Sequence, residues 1–269
     1  MTELIITHPG SSHFDEFFAI CLLLATHPNT DFTIERREPT PEEVDDPSIW
    51  VLDIGGEHNP KKRNFDHHQD IELSASFVLV AQALGYEESL SALPWWNFKD
   101  RIDRFGPAKV GAEIGTTSLR TTYSPMEGWM LDMFATAPNA LPTIMRQFGQ
   151  KAIESGRKLT EQLDRWEKAR RVELNGYTIL ISESDEAEGA QEFNFRQEKP
   201  AAACVTWDSR GQGWKLMRFD NAPEINFAKL EGRPDIRFTH KTGFVAKTRR
   251  RIPVEEVLEL VRIALPEAP

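Results

Sequence analysis

The chain has 269 residues, 40% apolar and 28% charged, which is the composition of a well-packed globular protein with room for two modest domains. Its formal net charge of -10, from 42 acidic against 32 basic residues, disfavours non-specific coating of a long nucleic acid, so any anionic substrate has to be met by a locally positive site. No apolar run approaches the roughly 18 residues that a membrane helix needs, and the expectation is a cytoplasmic protein with no membrane partner.

"MTELIITHPG" reads as neither a basic-then-apolar signal nor an arginine-rich transit peptide. Leu4 to Thr7 reads as a β-branched strand stopped by His8, Pro9 and Gly10, and His13 to Thr26 as the helix that follows. Phe32 to Arg36 and Ile49 to Ile54 read as further strands, the second closed by Gly55 and Gly56. Lys62 to Phe65 is a short extended segment, and Ser74 to Leu84 a helix with Ser74 as its N-cap. Trp95 to Pro142 is broken by glycines and prolines and resists assignment. Thr143 to Leu174 reads as one long charged helix ended by Asn175 and Gly176 as a C-cap pair. Strands at Tyr177 to Ser182, Ala202 to Trp207, Trp214 to Phe219 and Phe244 to Thr248 follow, with "DSRGQG" as a hairpin loop and Pro253 to Leu265 as a last helix. Cys21 and Cys204 each lie inside an apolar run and read as buried, inert thiols of a reducing compartment.

Alternating strands and helices imply a mostly parallel sheet covered on both faces, with ligands at the carboxyl ends of its strands. The fold class expected is α/β: a mostly parallel amino-terminal domain over residues 1–142, a connector helix over 143–176, and a smaller α+β carboxy-terminal domain over 177–269.

That rim gathers unusual side chains for a protein with seven histidines. His8, His13 and Asp15 follow the first strand, Asp53 closes a later one, and Asp66, His67 and His68 stand in "FDHH". "KDRIDRF" adds Asp100 and Asp103. Singly, each has a bland reading: a strand-end histidine is usually a satisfied polar group, Asp15 and Glu16 complement a helix dipole, and Asp53 forms a turn. Together, imidazoles and carboxylates are the ligand types of divalent Mn²⁺, Mg²⁺ or Fe²⁺, and crowded carboxylates need a cation to stay ionised. The tryptophans Trp95 and Trp96 could stack nucleobases, but packing is the stronger expectation.

The order His8-x4-His13-x-Asp15-Glu16, then Asp53-Ile54-Gly55-Gly56, then Phe65-Asp66-His67-His68-Gln69, resembles the melanocyte-proliferating-gene (Myg) family of the DHH phosphoesterase superfamily. That superfamily also holds the RecJ exonucleases and the manganese inorganic pyrophosphatases. The resemblance is densest over residues 4 to 70 and returns at "RFTHKTGFVAKT", Arg237 to Thr248.

The resemblance implies a DHH-type domain with two metal ions. His8 and His13 would hold one, Asp15, His67 and Asp103 the other, and Asp53 would bridge. Asp100 is the alternative to Asp103, since Arg104 and Phe105 replace the family's Asn-Gly. Mn²⁺ is the first choice of ion, with Mg²⁺ or Fe²⁺ as alternatives. His68 would face the substrate phosphate, Asp66 would orient the histidine pair, and His240 with the backbone at Gly243 would close over the substrate from the second domain.

The function implied is a metal-dependent phosphodiesterase, a 3′ to 5′ exonuclease on single-stranded RNA or short oligonucleotides by two-metal hydrolysis. Two alternatives stand beside it: a small-molecule phosphohydrolase acting on a dinucleotide or pyrophosphate, and a non-catalytic metal-bound module that binds a nucleotide or a protein.

Overall fold

The computed structural model describes residues 2–116, 124–184 and 187–266. The chain divides into two units, Met1–Lys158 and Leu159–Pro269.

The first unit is a layered α/β structure. Its elements are β1 (Thr2–Thr7), α1 (Phe14–Thr26), β2 (Asp31–Arg36), α2 (Pro41–Asp45), β3 (Trp50–Leu52), β4 (His58–Asn59), β5 (Asn64–Phe65), α3 (Ser76–Ala83), α4 (Glu87–Leu90), α5 (Trp96–Phe105), α6 (Pro107–Glu113) and α7 (Pro125–Thr136). The strands run in the order β2-β1-β3-β5-β4. Four of them are parallel and only β4 runs against its neighbour β5. The register Thr7↔Leu52 and Thr7↔Arg36 brings the carboxyl ends of β1, β2 and β3 to one level, the level at which a parallel sheet presents its ligands.

The core explains why these segments hold. α1 buries every residue from Asp15 to Leu24, too many for a one-sided amphipathic helix, because it is packed on all sides. Phe18 meets Phe77, Trp95, Trp96 and Phe148 edge-on. Trp95 and Trp96 are therefore packing residues, as their sequence context favours, with Trp96 2% exposed. Among its described residues the segment that resisted assignment is mostly helical, in α5, α6 and α7, and Gly106, Pro107 and Pro125 at their ends hide the periodicity.

Two expectations change here. α3 starts at Ser76 behind an Ala75 N-cap without a side-chain cap bond, so Ser74 is not its cap. Its first backbone N–H groups are satisfied from a distance, by Asp15 and Asp100. Lys62 to Phe65 is strand only at β5, because Arg63 adopts a left-handed conformation with φ of 60°.

α8 (Pro142–Glu167) begins in the first unit and ends in the second. Gly149 and Gly156 let it lie close to α1 and α4, since a Cβ at Gly149 would collide with the Cys21 carbonyl and one at Gly156 with that of Ser89. The helix does not reach Leu174: Arg170–Leu174 is a strand, β6, paired antiparallel with β7 (Tyr177–Ser182). Asn175 (φ 51°) and Gly176 (φ 81°) form the two-residue turn between them, the conformation that favours Asn-Gly in hairpins, and not a helix cap.

The second unit continues with α9 (Ala190–Phe195), β8 (Ala203–Trp207), β9 (Trp214–Arg218), β10 (Ile236–Thr239), β11 (Val245–Thr248) and α10 (Val254–Ala264). Its sheet order is β10-β11-β9-β8-β7-β6, antiparallel except for β7 with β8, which α9 connects as a crossover. The "DSRGQG" hairpin joins β8 to β9 as read from the sequence, and β10 was not foreseen. One face packs on α10 through Leu216, Val257 and Val261; the other packs on α9 and the end of α8 through Leu180, Phe193 and Trp166. Cys21 and Cys204 are both buried and unpaired. Among the described residues no helix is long and apolar enough to cross a membrane.

Candidate metal centre

The rim of the parallel sheet carries the titratable cluster. His8 follows β1 directly, His13 and Asp15 open α1, Asp53 follows β3, and His67 and His68 follow β5. Asp53 takes a left-handed φ of 60°, a conformation non-glycine residues avoid, and this sharp turn aims its carboxylate back into the cluster. It is 2% exposed and is one of the few charged groups buried in the unit.

Each oxygen of Asp53 addresses a different histidine. Oδ2 is 3.5 Å from His8 Nε2 and Oδ1 is 3.4 Å from His67 Nε2. His67 Nε2 also stands 3.5 Å from Asp15 Oδ2 and 3.0 Å from Asp103 Oδ2. None of these approaches makes a hydrogen bond to His67, whose buried Nε2 has no partner; the same holds for His8 Nε2 and for Glu16 Oε2. Buried polar atoms left unpaired while several ligand atoms converge on them are what a cation site looks like in protein atoms alone.

Three overlapping groups have ligand atoms close enough to share an ion: His8, His13, Glu16 and Asp53; Asp53, His67 and His68; and Asp15, His67 and Asp103. All six residues named from the sequence as ligands therefore fall in these groups. Asp103 does so and Asp100 does not: Asp100 accepts the Ala75 N–H at 2.8 Å and pairs with Arg104 at 3.3 Å. Glu16 was not foreseen as a site residue. Its signal is the acid immediately after Asp15 on an otherwise apolar helix, which by itself reads only as a dipole partner.

Burial and like charge work against the carboxylates of this cluster. Burial, and then the charges of Asp53 and Asp103, push the Asp15 carboxyl well above its ordinary range, although the N–H groups of Ser76 and Phe77 donate to it at 2.8 and 2.6 Å. Burial likewise raises Asp53. The carboxylate of Glu16, 3.3 Å away, and then the charge of Asp53 raise His8 to about 9 against the effect of its burial. Burial alone would lower His67, but Asp103 and Asp53 outweigh it and hold this group at about 9.

Asp66 and His68 form a dyad at the edge. Asp66 Oδ1 lies 2.7 Å from His68 Nδ1 and accepts the His68 backbone N–H at 3.1 Å, while Oδ2 accepts the Gly56 N–H at 2.7 Å. Burial opposes the Asp66 charge, but the bonds from His68 and Gly56 prevail and keep its carboxyl below the ordinary range. The His68 side chain is 63% exposed, against 6% for His67. The two neighbouring histidines thus face a buried cluster and solvent respectively. Beside Asp15 and Asp103, a cleft of about 310 Å³ is lined by Ser12, His13, Phe14, Lys99 and Glu127.

His240 and Gly243 lie in the second unit, in the turn between β10 and β11. Gly243 has φ of 72°, donates its N–H to the His240 carbonyl at 2.8 Å, and accepts from Phe227 at 2.9 Å, so its backbone groups are engaged within the turn. His240 Nδ1 lies 2.8 Å from the Thr242 hydroxyl, which leaves Nε2 available.

Residues 4–79 match the MYG1-exonuclease family model, described as "Uncharacterised protein family (UPF0160)". These residues carry the Myg-family signature. They hold five of the six expected metal ligands and the Asp66–His68 dyad; Asp103, His240 and Gly243 lie outside them. The "MYG1 exonuclease" of Homo sapiens is 40% identical over 63 residues, 23% of this chain and 16% of the human protein. That of Mus musculus is 40% identical over 65 residues, again 23% and 16%. The Myg match thus spans about a sixth of these relatives' length. Among solved structures, RecJ from Thermus thermophilus in complex with Mg²⁺ aligns with a TM-score of 0.32 at 11% identity, over 97% of this chain and 49% of that one. An uncharacterized protein from Helicobacter pylori aligns with a TM-score of 0.27 at 8% identity, over 97% and 99%.

Proposed function

We propose that this chain is a metal-dependent phosphodiesterase that removes nucleotides from the 3′ end of single-stranded RNA or short oligonucleotides. The observation that carries the reading is Asp53, whose two oxygens face His8 and His67 at 3.5 and 3.4 Å and so stand between two sets of ligands. In this reading His8 and His13 would hold one divalent cation and Asp15, His67 and Asp103 a second, with Asp53 placed to serve both. The donor set of nitrogen and oxygen without thiolate fits Mn²⁺ best, then Mg²⁺ or Fe²⁺. Such a pair of cations supplies Lewis-acid stabilisation of a phosphoryl group and an acidified water as nucleophile.

The chain's own residues do the rest. Asp66, ionised, keeps the proton of His68 on Nδ1 and fixes its ring, so that His68 Nε2 is presented outward to a phosphoryl or leaving oxygen. Charge repulsion among Asp15, Asp53 and Asp103 makes the site bind cations before it binds an anionic substrate. His240 is proposed as a substrate contact from the resemblance of its segment alone, with Nε2 as its available ring nitrogen. Gly243 keeps its place in the proposal only as the residue that shapes that turn. Single-stranded RNA or short oligonucleotides as substrate, and attack from the 3′ end, are what the Myg resemblance implies.

Purified protein with Mn²⁺ and a 5′-labelled single-stranded RNA tests the reading. A ladder shortening from the 3′ end, lost in Asp53→Ala and His68→Ala, is expected. No hydrolysis of RNA, DNA, a dinucleotide or pyrophosphate with any divalent metal overturns it.

A further inference from the structure

We propose that Arg36 is a positioning residue for the His8/His13 half of the centre, and that it fixes where the first cation sits. The proposal rests on the reading that this cluster holds two cations. Arg36 ends β2, in register with Thr7 at the end of β1, which places it on the rim beside His8. Its side chain is 6% exposed. Nη1 donates to Glu16 Oε1 at 3.1 Å, and Nη2 donates to the carbonyls of Gly10 at 3.2 Å and Ser11 at 3.1 Å. The guanidinium also lies 4.8 Å over the ring of Phe134.

Those contacts reach the segment that carries both histidines. Glu16 Oε1, the oxygen held by Arg36, accepts the backbone N–H of His13 at 2.8 Å and stands 3.3 Å from His8 Nε2. Gly10 has φ of 83° with open space around its α-carbon, so at this point of the loop it is the guanidinium that restrains the backbone, with the Ser12 hydroxyl donating to the Leu131 carbonyl further on. A planar fork reaches a carboxylate with one arm and two carbonyls with the other at fixed separation, a span that a compact ammonium does not have. One side chain therefore sets both the start of the loop, through Glu16 beside His8, and its middle, just before His13.

The loop geometry gives the direction of the effect. Without the guanidinium, Glu16 Oε1 and the carbonyls of Gly10 and Ser11 lose the donor that ties them together, and the loop that carries His8 and His13 is no longer held in one place. That loosening weakens the cation at His8 and His13. Asp15, His67 and Asp103 do not touch Arg36 and keep theirs.

Mn²⁺ titration of the full chain by calorimetry, with electron paramagnetic resonance of the loaded protein, decides. In Arg36→Met one of the two Mn²⁺ affinities falls at least tenfold, the other stays within twofold, and the spectrum changes from a coupled pair to an isolated ion. Arg36→Lys keeps the bond to Glu16 but not the span to both carbonyls, so its weaker affinity lies between those of the wild type and Arg36→Met. A purely structural role would lower thermal stability without sorting one ion from the other. Two ions bound at wild-type affinity, or both weakened equally, overturn the proposal, and Arg36→Lys alone decides by the same criteria if Arg36→Met does not fold. Wild-type protein that binds no Mn²⁺ brings down the two-cation reading itself, and this proposal with it.

Discussion

Replacing Asp53 by asparagine should make the metal-free protein more stable while removing its response to metal. Asparagine keeps the shape, tolerates the left-handed φ of 60°, and can still accept from the Ser76 hydroxyl, which donates to Asp53 Oδ1 at 3.2 Å. What it removes is one buried charge. Burial raises the Asp53 carboxyl above its ordinary range, so at neutral pH its ionised form is disfavoured in the folded chain relative to the unfolded one. Asp15 and Asp53 both approach His67 Nε2, which puts their facing oxygens no more than about 7 Å apart, and at an effective dielectric near 20 that is a repulsion of about 2 kcal/mol. Asp103 adds to this, and the imidazoliums of His8 and His67, at 3.5 and 3.4 Å, oppose it by about 5 kcal/mol each at the same dielectric; burial of the carboxylate is what tips the balance, since the Asp53 carboxyl ends above its ordinary range, and each kcal/mol of net gain is about 2–4 °C in melting temperature for a unit of this size. The assay is a thermal melt of wild type and Asp53→Asn in a chelator and in Mn²⁺. The variant is expected to melt higher in the chelator and to gain little from Mn²⁺, whereas the wild type gains strongly. A variant that melts lower in the chelator, as ordinary buried polar substitutions do, or that gains as much from Mn²⁺ as the wild type, refutes the reasoning.

Metal binding should release protons. His8 and His67 are held at about 9 in the metal-free protein, so part of its stability is present below pH ~6.5 and lost as pH rises through about 9, and apparent Mn²⁺ affinity rises over the same window; calorimetry in buffers of different ionisation enthalpy measures the release, and none at pH 7 contradicts it. Asp66→Asn should lower turnover about 10- to 100-fold with Mn²⁺ affinity changed little, because it removes the charge that orients His68 and leaves the ligands in place; steady-state kinetics beside a metal titration separates the two effects. Gly243→Ala should destabilise the second unit by about 1–3 kcal/mol, since φ is 72° and the added Cβ would collide with the Asn226 side chain; a urea melt that matches the wild type speaks against it.

The parallel sheet and its rim were legible in the sequence because β-branched runs ended in His, Asp and Gly at spacings a strand-loop-helix order explains. His8, Asp15, Asp53 and His67 could be gathered to one edge on that ground alone. What stayed hidden depends on partners distant in sequence. Arg36 reads as one more charge at a strand end until its loop carbonyls are seen at 3.1 and 3.2 Å. Glu16 reads as a helix-dipole acid until it is found fully buried. Ser74 reads as a cap because the acceptors that serve α3, Asp15 and Asp100, come from other elements. The helix-strand error at Arg170–Leu174 has a local cause: Val172 and Leu174 alternate with polar residues ahead of Asn-Gly, a hairpin pattern hidden by the charged helix that precedes it. Composition decides least where glycine and proline are dense, as between Trp95 and Pro142.

The central claim is that Asp53 joins two cations. Crystals grown with Mn²⁺ and measured at the manganese absorption edge test it directly. Two anomalous peaks are predicted, one against His8 and His13 and one against Asp15, His67 and Asp103, with a carboxylate oxygen of Asp53 on each. No peak in the cluster, or a single one that Asp53 does not touch, contradicts the account.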